Sequence, residues 1–265
     1  MHRPNVLILV LDSLRYDVAA KATTPNLQRL FYAGGAGTWR KVYAPGTYTL
    51  PSHMSMFQAG LFPSDPHSQE PVYNHRLGPA FKGRGDLFSS QPSLFEVPSG
   101  AENIVKGMSM LGYETLGLGG VGWFDSRMAT TELWAELFFD SFHWDPAFHE
   151  TEPQAFERQI DLLKAHKAAG NQDTPLFLFI NCPSTHTPYC GFERSVRGQA
   201  RALRYVDQHI PALFGLLPHP LHVFIMADHG DCFGEEGLWG HSIYHPKVME
   251  VPMIHFRLEQ EVAFA

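Results

Sequence analysis

The sequence predicts an α/β fold, a three-layer α/β/α sandwich in which helices cover a mostly parallel central sheet. Short apolar runs rich in β-branched residues alternate with segments of helical periodicity, and this alternation is typical of parallel strands joined by helices. Carboxylates directly follow two of the apolar runs, where parallel α/β sheets place their ligands. At 265 residues the chain is long enough to form one large domain of this kind.

Six runs are predicted to be strands because each is short, apolar and bounded by polar or turn-forming residues. They are Val6–Leu11, Trp39–Tyr43, Glu114–Leu118, Leu176–Ile180, His222–Met226 and Pro252–Phe256.

Five segments have helical patterns: Pro25–Ala33, Ser52–Ala59, Ala101–Leu111, Pro153–Ala168 and Glu193–Ile210. Thr24 is expected to cap the first of them, with Pro25 at the first helical position. The stretch from Pro63 to Pro98 is rich in Pro, Gly, Ser and His without a sustained period, which predicts a long surface loop at 63–98. With no internal repeat, residues 1–265 are interpreted as a single domain.

Composition restricts the partners and the compartment. A formal net charge of −7 argues against nucleic-acid binding, which usually requires a basic patch. The three cysteines cannot all pair within one chain and are expected to be reduced, as in the cytoplasm. The first apolar run is too short for a signal peptide or a membrane span. We therefore expect a cytoplasmic protein with neither a nucleic-acid nor a membrane partner.

Acidic side chains follow two predicted strands. Asp12 directly follows the run Val6–Leu11, and Asp228-His229-Gly230-Asp231 directly follows the apolar run Leu221–Ala227. A buried carboxylate is costly unless it is neutralised, and Arg15 is the one cationic side chain close to these residues in sequence. Carboxylates with one imidazole suit a divalent metal better than a buried salt bridge. For Asp12 taken alone, a helix N-cap is the alternative.

Thr49 precedes a Pro-Ser pair that can open a helix, so its hydroxyl is expected at a positively polarised helix N-terminus. Such a position binds oxyanions, and coordination to a metal would make the hydroxyl a nucleophile at neutral pH. The alternative is that Thr49 or Ser52 is only an N-cap.

Two of the fifteen histidines stand out by position. His186 follows the predicted strand Leu176–Ile180, and His241 ends a glycine-rich turn. Imidazoles in such places can hold a tetrahedral anion or protonate a leaving oxygen.

In chain order, these segments resemble the sulfatase branch of the alkaline phosphatase superfamily. The matching segments are Pro4–Arg15, Thr24–Leu30, Thr49–His53, Gly60–Pro63, Gly112–Thr115, His186–Tyr189, Asp228–Asp231, Gly234–His241 and Val251–Ile254. The resemblance covers nearly the whole chain and implies an alkaline-phosphatase-like fold.

The resemblance also implies roles. A metal would be held by four residues: Asp12, Thr49, Asp228 and His229. Thr49 would attack phosphorus or sulfur and form a covalent intermediate. His186 and His241, as catalytic and substrate-binding residues, would contact the non-bridging oxygens and the leaving group, and His53 is a further candidate for substrate binding.

The sequence departs from the family pattern at three points. Thr49 and His53 replace the Cys and Arg of the Cys-x-Pro-Ser-Arg motif of formylglycine-dependent sulfatases, and threonine cannot form that aldehyde. Ser13 replaces a second aspartate. The chain stops soon after Val251–Phe256, so the smaller C-terminal subdomain of the family is expected to be missing.

The favoured hypothesis is therefore a metal-dependent hydrolase of phosphate or sulfate esters, with a phosphodiester or phosphonate monoester preferred. Two alternatives are a phosphoryl-group transferase to an alcohol acceptor and a non-catalytic metal-stabilised binding protein.

One divalent ion is expected. It could be Mn, Zn, Ca or Mg, because three oxygen donors and one nitrogen do not select among these metals. A second ion near His186 and His241 is the alternative. Cys182 stands where binuclear members have aspartate, and a buried packing role is favoured over zinc binding there. A small anionic ester is the expected partner, and a homodimer would cover an exposed sheet edge.

Overall fold

The computed structural model describes residues 3–57, 103–125, 138–169 and 174–264. Within these ranges, seven strands form the main sheet: β1 (Asn5–Leu11), β2 (Arg40–Tyr43), β3 (Glu114–Leu118), β4 (Ser141–His143), β5 (Leu176–Cys182), β6 (Leu221–Met226) and β9 (Glu250–Leu258). Their order is β2-β9-β6-β1-β5-β3-β4, and β9 runs antiparallel to both of its neighbours while the other pairs are parallel. Two short strands, β7 (Cys232–Phe233) and β8 (Trp239–Gly240), form a separate ribbon.

The helices of the described residues are α1 (Tyr16–Ala19), α2 (Pro25–Ala33), α3 (Thr49–Phe57), α4 (Ile104–Met110), α5 (Ala155–Ala169), α6 (Val196–Phe214) and α7 (Pro246–Met249). The central strand β1 shows how they are layered. Its residues Leu7 and Leu9 belong to a core with side chains of α2, α5 and α6, whereas Val10 packs on the other face with side chains of α3 and α4. Apolar residues on both faces of β1 require cover on both sides. The predicted α/β/α sandwich with a mostly parallel sheet is confirmed.

The predicted strands and helices begin and end within a few residues of those in the structure. The predictions for β3 and α2 match the structure residue for residue. Strand β5 runs two residues further, to Cys182, and β9 is longer at both ends. The elements β4, β7, β8, α1 and α7 were not predicted, because runs of two to four residues carry no recognisable period. The predicted loop at 63–98 lies outside the described residues.

The contact between α2 and α6 corrects two predictions. The side chain of Thr24 makes no capping hydrogen bond. Instead the Asp207 carboxylate accepts from the backbone N–H groups of Asn26 (3.3 Å) and Leu27 (2.8 Å). The Asn26 side chain in turn donates to the backbone carbonyl of Asp207 at 2.9 Å. Within a helix this carbonyl would accept from the N–H group four residues later, which Pro211 lacks. Helix α6 therefore continues through Pro211 to Phe214 instead of ending at Ile210.

Helix α3 begins at Thr49, three residues before the predicted start at Ser52, while its predicted end at Ala59 lies outside the described residues. Pro51 is tolerated in the first turn, since the N–H groups there have no partner within the helix. Thr49 thus lies at the helix N-terminus, as expected. In the described part of the chain, no helix combines the length and apolar character needed to cross a membrane.

Candidate functional site

The carboxyl ends of β1 and β6 meet the start of α3. Asp12 follows β1, and Asp228 and His229 follow β6, which pairs with β1 in parallel register. Thr49 opens α3 next to them. All four side chains are at most 1% exposed. The structure thus brings together the four residues that the sequence grouped.

The imidazole of His229 lies at the centre of this group. Its Nε2 is 3.4 Å from Asp228 Oδ2, 3.7 Å from Asp12 Oδ1 and 3.4 Å from Thr49 Oγ1. Thr49 Oγ1 is also 3.5 Å from Asp12 Oδ2. At the other side of the ring, Nδ1 lies 3.1 Å from the Gly230 carbonyl, which assigns the ring proton to Nδ1 and leaves Nε2 as a lone-pair donor toward the carboxylates.

The donor set fits a divalent cation. Asp228 Oδ1 accepts from the backbone N–H groups of Ser13 (3.1 Å) and His229 (3.0 Å), but Oδ2 is buried without a hydrogen-bond partner among the described residues. Burial raises the pKa of Asp228 to about 6, and burial together with the Asp228 charge raises the pKa of Asp12. Burial lowers the pKa of His229 to about 3, so this imidazole is neutral. Two buried carboxylates beside a neutral imidazole are stabilised by a cation between them.

Arg15 does not supply that cation. Its guanidinium pairs with Asp17 at 2.8 Å and Glu235 at 2.7 Å, and Nη1 donates to the Asp231 carbonyl at 3.4 Å. In the part of the chain that the structure describes, no Lys or Arg forms an ion pair with Asp12 or Asp228. Arg15 instead holds the turn after β6 against the start of α1.

Asn181, near the end of β5, is a site residue that the sequence analysis missed. Its Nδ2 donates to Asp12 Oδ2 at 2.8 Å, and its Oδ1 accepts from the Val121 backbone N–H at 3.3 Å, which sets the orientation of the amide. The Gln159 side chain holds the Asn181 carbonyl at 2.8 Å. The available signal was a polar residue directly after the predicted strand Leu176–Ile180, at the same sheet edge as Asp12.

Replacing Asn181 with leucine is expected to weaken metal binding by about 10–100-fold, because the Asp12 carboxylate loses the donor that orients it. Titration calorimetry with Mn²⁺ measures this change directly, and circular dichroism checks that the variant is folded. A folded Asn181→Leu protein with the metal affinity of the original chain would contradict this role.

His186 and His241 lie beside the buried group, on its partly exposed side. The ring centroid of His241 is 4.5 Å from that of His229 and 5.3 Å from that of His186. His241 Nδ1 lies 2.7 Å from Asp231 Oδ1, and Tyr189 donates its hydroxyl proton to the other Asp231 oxygen. Burial opposes a charged His241, but the Asp231 hydrogen bond and charge outweigh it and raise its pKa. The sequence did not predict that Asp231 would link Tyr189 to His241.

His53 lies in the protein interior behind Thr49. It is fully buried, its Nδ1 is 2.7 Å from the Thr49 carbonyl, and its ring packs on Phe124 and Phe179. Burial lowers the pKa of His53 to about 4, so the ring is neutral. These contacts support the first turn of α3, whereas His186 and His241 are the predicted substrate-binding histidines that solvent reaches.

A second group of metal-ligand type consists of His229, Asp231 and His241, whose ligand atoms lie within 4.8 Å of one another. Cys182 is buried, and burial raises the pKa of its thiol to about 12. The thiol is therefore protonated and behaves as a packing group. A second ion near His186 and His241 stays a prediction.

Comparisons with known proteins support the resemblance. The Sulfatase family model matches residues 4–260. A phosphopentomutase from Aeromonas hydrophila is 40% identical over 68 residues, which are 26% of this chain and 16% of that protein.

Two solved structures share the fold. The lipooligosaccharide phosphoethanolamine transferase A of Neisseria meningitidis superposes with a TM-score of 0.60 and 16% identity over 97% of this chain and 48% of its own. A putative sulfatase from Bacteroides thetaiotaomicron gives a TM-score of 0.61 and 15% identity over 96% of this chain and 64% of its own. The chain spans about half of the transferase and about two thirds of the sulfatase, and identities this low concern the fold alone. Since the family model spans nearly the whole chain, the chain belongs to the sulfatase family, in the sulfatase-like branch of the alkaline phosphatase superfamily.

Proposed function

We propose that the chain is a metal-dependent hydrolase of phosphate or sulfate esters, with phosphodiesters or phosphonate monoesters as preferred substrates and Thr49 as the nucleophile. One observation carries the proposal. The Thr49 hydroxyl lies at the start of α3, 3.5 Å from Asp12 and 3.4 Å from His229, within a buried group that is rich in carboxylates.

Members of the sulfatase family generally bind a divalent metal. In this proposal Asp12, Asp228, His229 and Thr49 hold it. When bound, such an ion lowers the pKa of the threonine hydroxyl and offsets negative charge on the ester. The unpartnered Asp228 Oδ2 and the lone pair of His229 Nε2 support this assignment.

The residues of the chain account for the remaining chemistry. Thr49 gives its hydroxyl proton to Asp12, and Thr49 Oγ1 forms a bond to phosphorus while the bond from phosphorus to the leaving oxygen breaks. The helix N-terminus at Thr49 favours the negative charge that develops there. His241, held by Asp231, protonates the leaving oxygen, and His186 contacts the non-bridging oxygens. Water then attacks phosphorus and gives a proton to His241 while the bond from phosphorus to Thr49 Oγ1 breaks, and Asp12 returns its proton to Thr49 Oγ1.

A threonine nucleophile favours phosphoryl over sulfuryl chemistry. The methyl group on Cβ of Thr49 prevents formation of the aldehyde hydrate that formylglycine-dependent sulfatases use. The second candidate, transfer to an alcohol, is supported by similarity to a phosphopentomutase and to a phosphoethanolamine transferase. Hydrolysis and transfer would share the intermediate on Thr49 and differ in whether water or an alcohol accepts the group.

The test is an activity screen on chelator-treated protein reloaded with Mn²⁺, Zn²⁺, Mg²⁺ or Ca²⁺. The substrates are the p-nitrophenyl phosphate monoester, diester, phenylphosphonate and sulfate. We expect turnover only with metal, fastest for the diester or the phosphonate. If added glycerol diverts the product to a glycerol ester, the transferase is favoured. A metal-loaded protein that turns over none of the four esters would instead be a binding protein.

A further inference from the structure

An arginine and a tryptophan lie together on the protein surface, with Trp239 two residues before His241 in the chain. The Arg194 guanidinium carbon is 5.4 Å from the centroid of the Trp239 ring, a cation–π geometry. The Trp239 side chain is nevertheless 52% exposed, so the ring still presents apolar surface to solvent. An exposed tryptophan stacked on a cation is a rigid surface on which a ring can bind.

Direct contacts connect this pair to the catalytic histidine. Arg194 lies close to Tyr189, and Tyr189 donates its hydroxyl proton to Asp231, which holds His241. Arg194 also lies so close to Gly240, the residue before His241, that a Cβ there would be 2.8 Å from Nη2. Gly240 has a φ of +85°, which an L side chain rarely adopts. The ribbon of β7 and β8 therefore leaves room for the guanidinium next to His241.

The charge of Arg194 has no carboxylate partner in the described ranges. The adjacent Glu193 pairs with Arg197 at 3.9 Å and with Arg201 at 3.4 Å instead. In a chain whose formal net charge is −7, an exposed guanidinium without an acidic partner is available to an anion. Its planar fork suits carboxylate or phosphate oxygens.

We propose that Arg194 and Trp239 form the subsite that selects the organic group of the ester, favouring a ring that bears a second anionic group. The ring stacks on Trp239, and Arg194 donates to the anionic substituent. This assignment rests on the proposed function, because it takes His241 as the residue next to the leaving group.

Equilibrium binding of phosphonic acids tests the subsite without relying on turnover. Four ligands are titrated calorimetrically into metal-loaded protein: methylphosphonate, benzylphosphonate, 4-carboxybenzylphosphonate and a tetrahydropyranylmethylphosphonate. The original chain is expected to bind the carboxybenzyl ligand most tightly. Trp239→Ala should weaken both benzyl ligands about tenfold more than methylphosphonate, with Trp239→Phe in between. Arg194→Gln should weaken the carboxybenzyl ligand more than the benzyl ligand.

Two variants serve as matched controls. Tyr32→Ala removes a more exposed aromatic residue on α2, and Arg197→Gln removes a nearby arginine that already pairs with Glu193. Neither should change the ranking of the ligands. The tetrahydropyranyl ligand tests whether a sugar-like ring also stacks on Trp239, in which case Trp239→Ala should weaken this ligand as well as the benzyl ligands.

The subsite would be refuted if folded Trp239→Ala and Arg194→Gln proteins bound the four ligands with the affinities of the original chain, or weakened all four ligands equally. Discrimination among the ligands without turnover of any ester would leave the subsite standing and refute the hydrolase. The two failures are therefore distinguishable.

Discussion

Replacing Thr49 with alanine is expected to lower kcat for an aryl phosphodiester by on the order of 10⁴-fold or more, because alanine has no hydroxyl group to attack phosphorus. Metal binding should fall much less, since Asp12, Asp228 and His229 remain. The measurement is steady-state kinetics at saturating Mn²⁺, paired with intact-protein mass spectrometry of substrate-quenched samples. A phosphoryl adduct should be present in the original chain and missing in Thr49→Ala.

Two controls make the result specific. Thr49→Ser keeps a hydroxyl and should retain part of the activity. Thr24→Ala removes another buried threonine, whose side chain makes no capping bond, and should retain nearly all activity. If Thr49→Ala turned over the diester at a rate near that of the original chain, water would be the direct nucleophile and the covalent mechanism would be wrong.

Replacing Asp228 with asparagine is expected to have opposite effects with and without metal. Without metal, the variant should be more stable by about 1–3 kcal/mol, because the buried Oδ2 has no hydrogen-bond partner in the described structure and lies near the Asp12 charge. With metal, the original chain should gain much more stability than Asp228→Asn, which lacks one charged ligand. Its metal affinity should fall by more than the roughly 10–100-fold expected of an outer residue such as Asn181.

Thermal melting with chelator and with Mn²⁺ measures both effects on the same samples. Asp17→Asn is the matched control, since the Asp17 carboxylate pairs with Arg15 and Lys247. That variant should melt earlier under both conditions. An Asp228→Asn protein that melted earlier than the original chain in chelator, and gained as much from Mn²⁺, would rule out Asp228 as a metal ligand.

The cytoplasmic location, the absence of nucleic-acid and membrane partners, the homodimer, the second ion and the single domain stay predictions from the sequence. The activity panel and the metal titrations address the chemistry, while analytical ultracentrifugation of the chain would decide the oligomeric state.

The convergence of Asp12, Asp228 and His229 could be predicted because it follows from local pattern and one topological rule. Apolar runs identify strands, and the carboxyl ends of adjacent parallel strands share one edge of the sheet. The position of Thr49 at a helix start followed from the local Pro-Ser signal, although the helix begins three residues earlier than predicted. Each signal comes from residues close together in the sequence, and the topological rule brings the separate signals to one edge of the sheet.

The partners of individual side chains could not be predicted in this way. Asp207 caps a helix that begins about 180 residues earlier in the chain, and Asn181 reaches Asp12 only because β5 pairs with β1. Burial of His53 depends on aromatic side chains that come from other elements. Local periodicity contains no information about such long-range neighbours.

The sequence by itself thus determined the layered fold, the sheet edge that holds the site and the residue types gathered there. Only the tertiary structure decided that Arg15 pairs away from the buried carboxylates, that Asp231 orients His241 while it accepts from Tyr189, and that Arg194 packs on Trp239. The physical reason is that hydrophobic patterning specifies which face of each element is buried, whereas hydrogen bonds and ion pairs depend on ångström-scale distances between segments far apart in the chain.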